Sequence, residues 1–186
     1  MIAIVIGGNT HEITVSIEDY AEILLGSEAY ADAHALTYAM IEYVRAMIPA
    51  DKTFCDGAIA PEGYEKQVLV GKESANDKGM LTNIAFCLDG TIAIAITGKT
   101  EAIGKSVNLV LANGRSETAA VNAEGIVLFE GLYVNEFFGE MTIRVAGETY
   151  YYSLANYLYG IGGENAGVQA LYNYAYYANA YVNALN

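Results

Sequence analysis

Few side chains in this sequence could do chemistry: two histidines, two cysteines, some close acidic pairs and an unusual number of tyrosines. His11 stands in a segment patterned as a hairpin and His34 in one patterned as a helix, and neither has a Ser or Cys nucleophile close in sequence. A triad is assembled in space rather than along the chain, so spacing alone leaves one open. Ordinary surface histidines are the plainer reading. Glu18-Asp19, and Glu62 with Glu65, have the residue types of an acid–base pair for hydrolysis. No aromatic, apolar run surrounds them to raise a carboxyl pKa, and Glu18 and Asp19 sit where a first helical turn favours negative charge. No catalytic residue is assigned.

Metal chemistry has little more to stand on. Cys55 and Cys87 form no C-x-x-C pair and have no neighbouring His. They read as buried free thiols, with a disulfide between them left open. Oxygen ligands are scattered through residues 51–65 and 74–78, without the regular Asp/Asn spacing, central Gly and final Glu of a calcium loop. A bound calcium ion is left open, and no metal or other cofactor is expected. The glycines form neither G-x-G-x-x-G nor a Walker loop, so nothing points to a nucleotide phosphate.

The 16 tyrosines carry the remaining functional potential, since their rings stack on sugars and anchor interfaces. Tyr172 and Tyr176 lie four apart on the last helical stretch, on the face opposite its apolar stripe of Leu171, Tyr174, Ala175, Ala178, Tyr181, Val182 and Leu185. They are the candidate ligand-binding residues, as an exposed two-ring platform. The competing reading packs them on the sheet or on a neighbouring helix, and the absence of Trp weighs against sugar binding.

Charge removes whole classes of partner. With 22 acidic against 9 basic residues the chain carries −13, so a nucleic-acid backbone or an anionic membrane surface would be repelled. No window reaches the roughly 20 apolar residues that span a bilayer, so no membrane insertion is expected. The hydrophobic fraction of 54% against 17% charged is ample for a core. Residues 1–8 are apolar but lack the basic start and cleavage pattern of a signal peptide. They read as a strand, as though the chain were cut from a longer secreted protein.

The elements that position these residues occur twice. Residues 141–153 read MTIRVAGETYYYS, two alternating runs around a Gly147-Glu148 turn signal, and Ser153 caps a helix that stops at Gly162-Gly163. A longer helix follows over 166–185. Residues 2–16, IAIVIGGNTHEITVS, again give two alternating runs, around Gly7-Gly8-Asn9, and Ser16 caps a helix ended by Gly26. A second helix is expected over 29–48. Ser16 and Tyr20 repeat the S-x-x-x-Y spacing of Ser153 and Tyr157, and Ala39, Met40 and Tyr43 match Ala170, Leu171 and Tyr174. Tyr43 and Tyr174 are expected to be buried at equivalent helix–sheet contacts.

Between the copies, residues 49–79 form a polar connector with one strand at 67–70. Turn dipeptides at Asp89-Gly90 and Asn113-Gly114 then separate short strands at 81–88, 91–97, 107–112, 117–121 and 126–129. A two-residue Asp89-Gly90 loop would set Cys87 opposite Ile92 and Ala85 opposite Ile94. Both hairpin faces would be apolar and need covering. The expected fold is α+β: an antiparallel β-sandwich of about seven strands flanked by two duplicated helix pairs. The divisions are 1–48 (first copy), 49–79 (connector) and 80–186 (sandwich and second copy), unless all form one compact unit.

Tyr152-Ser153, Asn156-Tyr157, the run Ala170-Leu171-Tyr172-Asn173-Tyr174-Ala175 and the closing Ala178-Asn179-Ala180-Tyr181 resemble a module of secreted, multi-modular proteins from anaerobic Gram-positive bacteria. This chain departs from it with Asn156 for Asp, Ala175 for Gly, and Tyr176 and Tyr177 for small residues. The resemblance implies a non-catalytic extracellular or cell-surface accessory module for spacing, scaffolding or adhesion. Its partners would be other modules of the same parent protein, and a glycan or another surface protein is left open. The alternative is a carbohydrate-binding module using a tyrosine platform, and a hydrolase comes third.

Overall fold

The computed structural model describes residues 2–6, 9–13, 16–70, 79–87 and 91–185, the first two segments as backbone only. The chain divides into two compact units, residues 1–66 and 67–186, and the division falls inside the stretch read as connector. The class is α+β, with every strand pair antiparallel.

In the first unit β1 (Ile2–Ile6) pairs with β2 (Asn9–Ile13), with Ile6 opposite Asn9, so Asn9 belongs to the strand rather than to the expected Gly7-Gly8-Asn9 turn; the two glycines lie outside the described residues. Ser16 then caps α1 (Ile17–Leu25) through a capping box, its hydroxyl taking the Asp19 N–H while the Asp19 carboxylate takes the Ser16 N–H. The expected single second helix is instead a 3-10 segment, Glu28–Ala33, leading into α2 (His34–Met47). Ala21, Ile41 and Cys55 form a small core there, with Leu25, Met40, Phe54 and Ala58 packed around it. Tyr64 and Lys66 are held to Glu42 of α2 by a hydrogen bond and an ion pair.

The second unit holds a three-stranded sheet, ordered β3 (Leu81–Cys87), β4 (Ala93–Gly98), β7 (Ile126–Glu130). Beside it is a four-stranded sheet, ordered β6 (Ser116–Ala120), β5 (Ser106–Val110), β8 (Met141–Val145), β9 (Glu148–Tyr152). One apolar cluster takes residues from both sheets, among them Ile84, Phe86, Ile94, Ile96 and Phe129 from the first and Leu109, Met141, Ile143 and Tyr152 from the second. Three helices complete the unit: α3 (Val134–Phe137), α4 (Leu154–Gly162), whose N-cap is Ser153, and α5 (Ala166–Leu185).

Three local expectations are corrected. The β3–β4 register places Cys87 opposite Ala93 and Phe86 opposite Ile94, one residue from the expected pairing. Ile92 gives its carbonyl to the Leu132 N–H instead. The observed register gathers Ile84, Phe86, Ile94 and Ile96, all buried, on one face, and a one-residue slip would scatter them. The Asp89-Gly90 dipeptide itself lies outside the described residues, as does the segment 74–78. The β8–β9 turn is Ala146-Gly147 rather than Gly147-Glu148, because Val145 pairs with Glu148. Both turn residues have positive φ, 48° and 87°, the conformation of a two-residue I′ hairpin turn. Residues 67–70 form no strand: the Gln67 and Leu69 N–H groups, two apart as on a strand edge, go to the side-chain oxygens of Asn173 and Gln169.

Candidate functional site

The face that α5 presents to the core is Val168, Leu171, Tyr172 and Ala175. Tyr172 stacks on Phe138 with ring centroids 5.5 Å apart, and Tyr176 meets the same ring edge-on at 6.0 Å. Burial, with Tyr176 nearby, raises the Tyr172 hydroxyl pKa above its usual value. The expectation that the rings stand on the face away from the core is therefore corrected for Tyr172, which packs on the core, while Tyr176 is half-buried beside Phe138. Periodicity placed Leu171, Tyr174 and Ala175 on the apolar stripe, and of these Leu171 and Ala175 do face the core. Packing against α3 and Phe138 also turns Tyr172 inward, and Tyr43 and Tyr174 are each only half-buried. Ile41, at the position that the expected repeat matches to Tyr172, is fully buried, and Ala39 and Ala170 are buried too.

An open pocket of about 250 Å³ lies between β3 and α4. Its floor is Tyr152, which is buried and donates its hydroxyl hydrogen to the Ile84 carbonyl at 2.7 Å. That bond ties β9 to β3, both of them sheet edges. One wall is Asn83 with the strand beside it; the other is the α4 face carrying Asn156, Tyr157, Gly160 and Ile161. The β3–β4 pairing shifts register between Leu81 and Asn83, a bulge of the kind that re-aims a side chain. Asn83 is exposed, and its amide has no hydrogen-bond partner among the described residues. Tyr157 sets its ring against Phe86 at 5.5 Å, edge to face. A Cβ on Gly160 would meet nothing, so this glycine leaves the pocket open rather than serving the backbone. Among the described residues, no charged side chain lines the space. Sequence reading missed this site, although Thr82-Asn83 interrupts the apolar alternation of β3 and so marks the bulge.

In the first unit Cys55 sits at φ 49°, a left-handed conformation uncommon outside glycine. Its N–H goes to the Glu18 carboxylate, its thiol lies 3.8 Å from the Glu18 carbonyl, and Arg45 donates to the carbonyls of Phe54 and Cys55. Ligand atoms of Glu18, Glu22 and Cys55 lie within 4.8 Å of one another, a set of metal-ligating types that the sequence reading did not bring together. The i, i+4 spacing of the two glutamates on a helix was the available signal. Burial, then the charges of Glu18 and Glu22, push the Cys55 thiol pKa above its usual value, so it keeps its proton at neutral pH. A metal ion would have to displace that proton and compete with the Cys55 N–H for Glu18. The arrangement works as a knot pinning the chain after α2 to α1. Cys87 is also a free thiol.

The remaining candidates have structural roles or lie outside the described side chains. His34 donates from Nε2 to the Ser27 carbonyl at 3.1 Å, because a carbonyl can only accept. The side chain of His11 lies outside the described residues. The Ser16 hydrogen bonds of the capping box hold the Asp19 carboxyl below its ordinary pKa, while Glu62 and Glu65 are exposed. No described helix is long and apolar enough to cross a membrane. Compared with protein-family models, curated proteins and solved structures, the chain shows no match.

Proposed function

We propose that this chain is a non-catalytic accessory module of a multi-modular protein outside the cell or at its surface, serving spacing, scaffolding or adhesion. In this reading the seven strands of the larger sheets pack as a sandwich, and the hairpin–helix–helix unit is duplicated. The observation that carries it is the order of elements: in both units a hairpin runs into a serine-capped, nine-residue helix and then a longer one. Even the site of connector attachment recurs, for Glu42 and Asn173, at matching positions of the longer helices, each hold a neighbouring piece of connector. Repetition of a whole supersecondary unit suits a protein that supplies shape and surface rather than one reactive centre. The alternative for the same module is sugar stacking on Tyr172 and Tyr176.

The test has two arms. An experimental structure should superpose residues 2–47 on 141–185, and panels of glycoside, peptide and ester substrates should show no turnover. Hydrolysis abolished by changing a single carboxylate would defeat the non-catalytic reading, and unrelated packing of the two segments would defeat the duplication.

A further inference from the structure

We propose that the pocket between β3 and α4 is a binding site for one ring of a neutral carbohydrate. The inference stands on the pocket itself and depends on neither the duplication nor the tyrosine pair of α5.

Chemistry narrows the ligand first. The chain carries −13, so an anion is repelled from its surface. A cation is drawn toward the molecule, but among the described residues the pocket has no carboxylate to hold it. An uncharged ligand is left. The lining then asks for a ligand with two kinds of surface. Asn83 brings an exposed amide with two donors and an acceptor, the combination that pairs with neighbouring hydroxyls, and Asn156 stands on the facing wall already bonded within the protein. Asn156 already takes the Ser153 hydroxyl at 2.6 Å, which fixes its orientation, whereas Asn83 is exposed at the bulge. Tyr157 and Ile161 offer apolar surface, and a pyranose presents just such a face of C–H groups to an aromatic side chain. At about 250 Å³ the space is near the lower end of ligand pockets, which begin around 300 Å³, and suits one ring rather than a long chain.

The pocket is also built to stay in place. Its walls are a strand and a helix, Tyr152 locks the floor to the Ile84 carbonyl, and Ser153 joins β9 directly to α4. A ligand group displaces water from a preformed site with little reordering of the protein.

The probes are methyl pyranosides, cellobiose, maltose and N-acetylglucosamine, with glucuronate and glucosamine as charged controls. Each is titrated into the full chain and followed by amide NMR. Binding should perturb Asn83, Asn156 and Tyr157, favour neutral sugars, and change little between low and high salt. Gly160→Leu fills the space, and because it replaces a glycine inside a helix it should leave folding intact. It and Asn83→Ala should each weaken binding by roughly tenfold or more, equivalent to 1.4 kcal/mol. Tyr172→Ala and Tyr176→Ala should leave it unchanged. No perturbation by any probe, preference for a charged control, or binding that survives Gly160→Leu would each overturn the assignment. Loss with the α5 tyrosine variants alone would move the sugar to that platform. The turnover assays answer separately for the accessory-module reading.

Discussion

Glu136 is a buried carboxylate whose oxygens are almost fully spoken for. Arg115 grips it in a two-pronged ion pair, Nε to Oε1 at 2.7 Å and Nη2 to Oε2 at 2.8 Å, while the Tyr133 N–H and the Asn113 amide take the remaining positions. The side chain of Glu136 is only 4% exposed, so its charge depends on those partners. Removing one partner of a buried pair costs far more than the pair contributes, because the other charge is stranded. Arg115→Ala should therefore lower stability by about 3 kcal/mol, read from the denaturant midpoint. The double variant Arg115→Ala with Glu136→Leu should recover part of that loss. A single variant as stable as the parent would mean that water satisfies Glu136.

At the scale of elements, the β8–β9 hairpin carries two checkable consequences. Ala146 holds φ 48° in a turn whose first central position prefers Asn or Gly. Ala146→Asn should stabilise the protein by about 0.5–1 kcal/mol, seen as a raised unfolding midpoint with unchanged slope. A fall would mean that the turn is not of the I′ type. Further along, Glu148 and Tyr150 share the Met80 N–H, and a Cβ on Gly79, whose φ is 75°, would fall 2.1 Å from the Glu148 carboxylate, so a larger residue would strain the backbone and push that carboxylate off the Met80 N–H. The Tyr150 hydroxyl, then the Met80 N–H, lowers the Glu148 pKa from 4.5, while burial, then Glu148, raises that of Tyr150 from 10.0. The signs give a plateau. The Glu148 contribution is present above pH 4.5 and lost as pH falls toward its folded pKa; the Tyr150 contribution is present below pH 10 and lost as pH rises toward its own. Denaturant midpoints of the parent and Tyr150→Phe should therefore converge at both ends of the pH range and separate between. A constant difference from pH 3 to 11 would rule out the coupling.

For the whole molecule, the division at 66/67 puts the larger apolar cluster entirely in the second unit, from Leu69 to Ala175. Residues 67–186 thus have a core of their own, with both sheets and α3 to α5 around it. Expressed alone, they should fold to a cooperatively unfolding protein with dispersed amide NMR signals and the strand content seen here. A molten or aggregated fragment would show that residues 1–66 are needed to complete that core.

The sequence by itself determined the two hairpins, the serine caps and glycine stops of α1 and α4, the span of α5 and the antiparallel class. Each is written in residues a few positions apart, where turn geometry, capping and strand alternation act. Only the tertiary structure decided what depends on distant partners. The β3–β4 register was settled by the need to bury Ile84 with Ile96 and by the Leu132 N–H that claims Ile92. The inward turn of Tyr172 was settled by Phe138, thirty-four residues earlier in the chain. Residues 67–70 alternate like a strand, yet Gln169 and Asn173, a hundred residues away, took the hydrogen bonds a neighbouring strand would have supplied. The pocket shares that origin. Its asparagines, tyrosines and Gly160 are unremarkable along the chain, and become a site only where a bulged edge strand and the helix after β9 close on the Tyr152 floor.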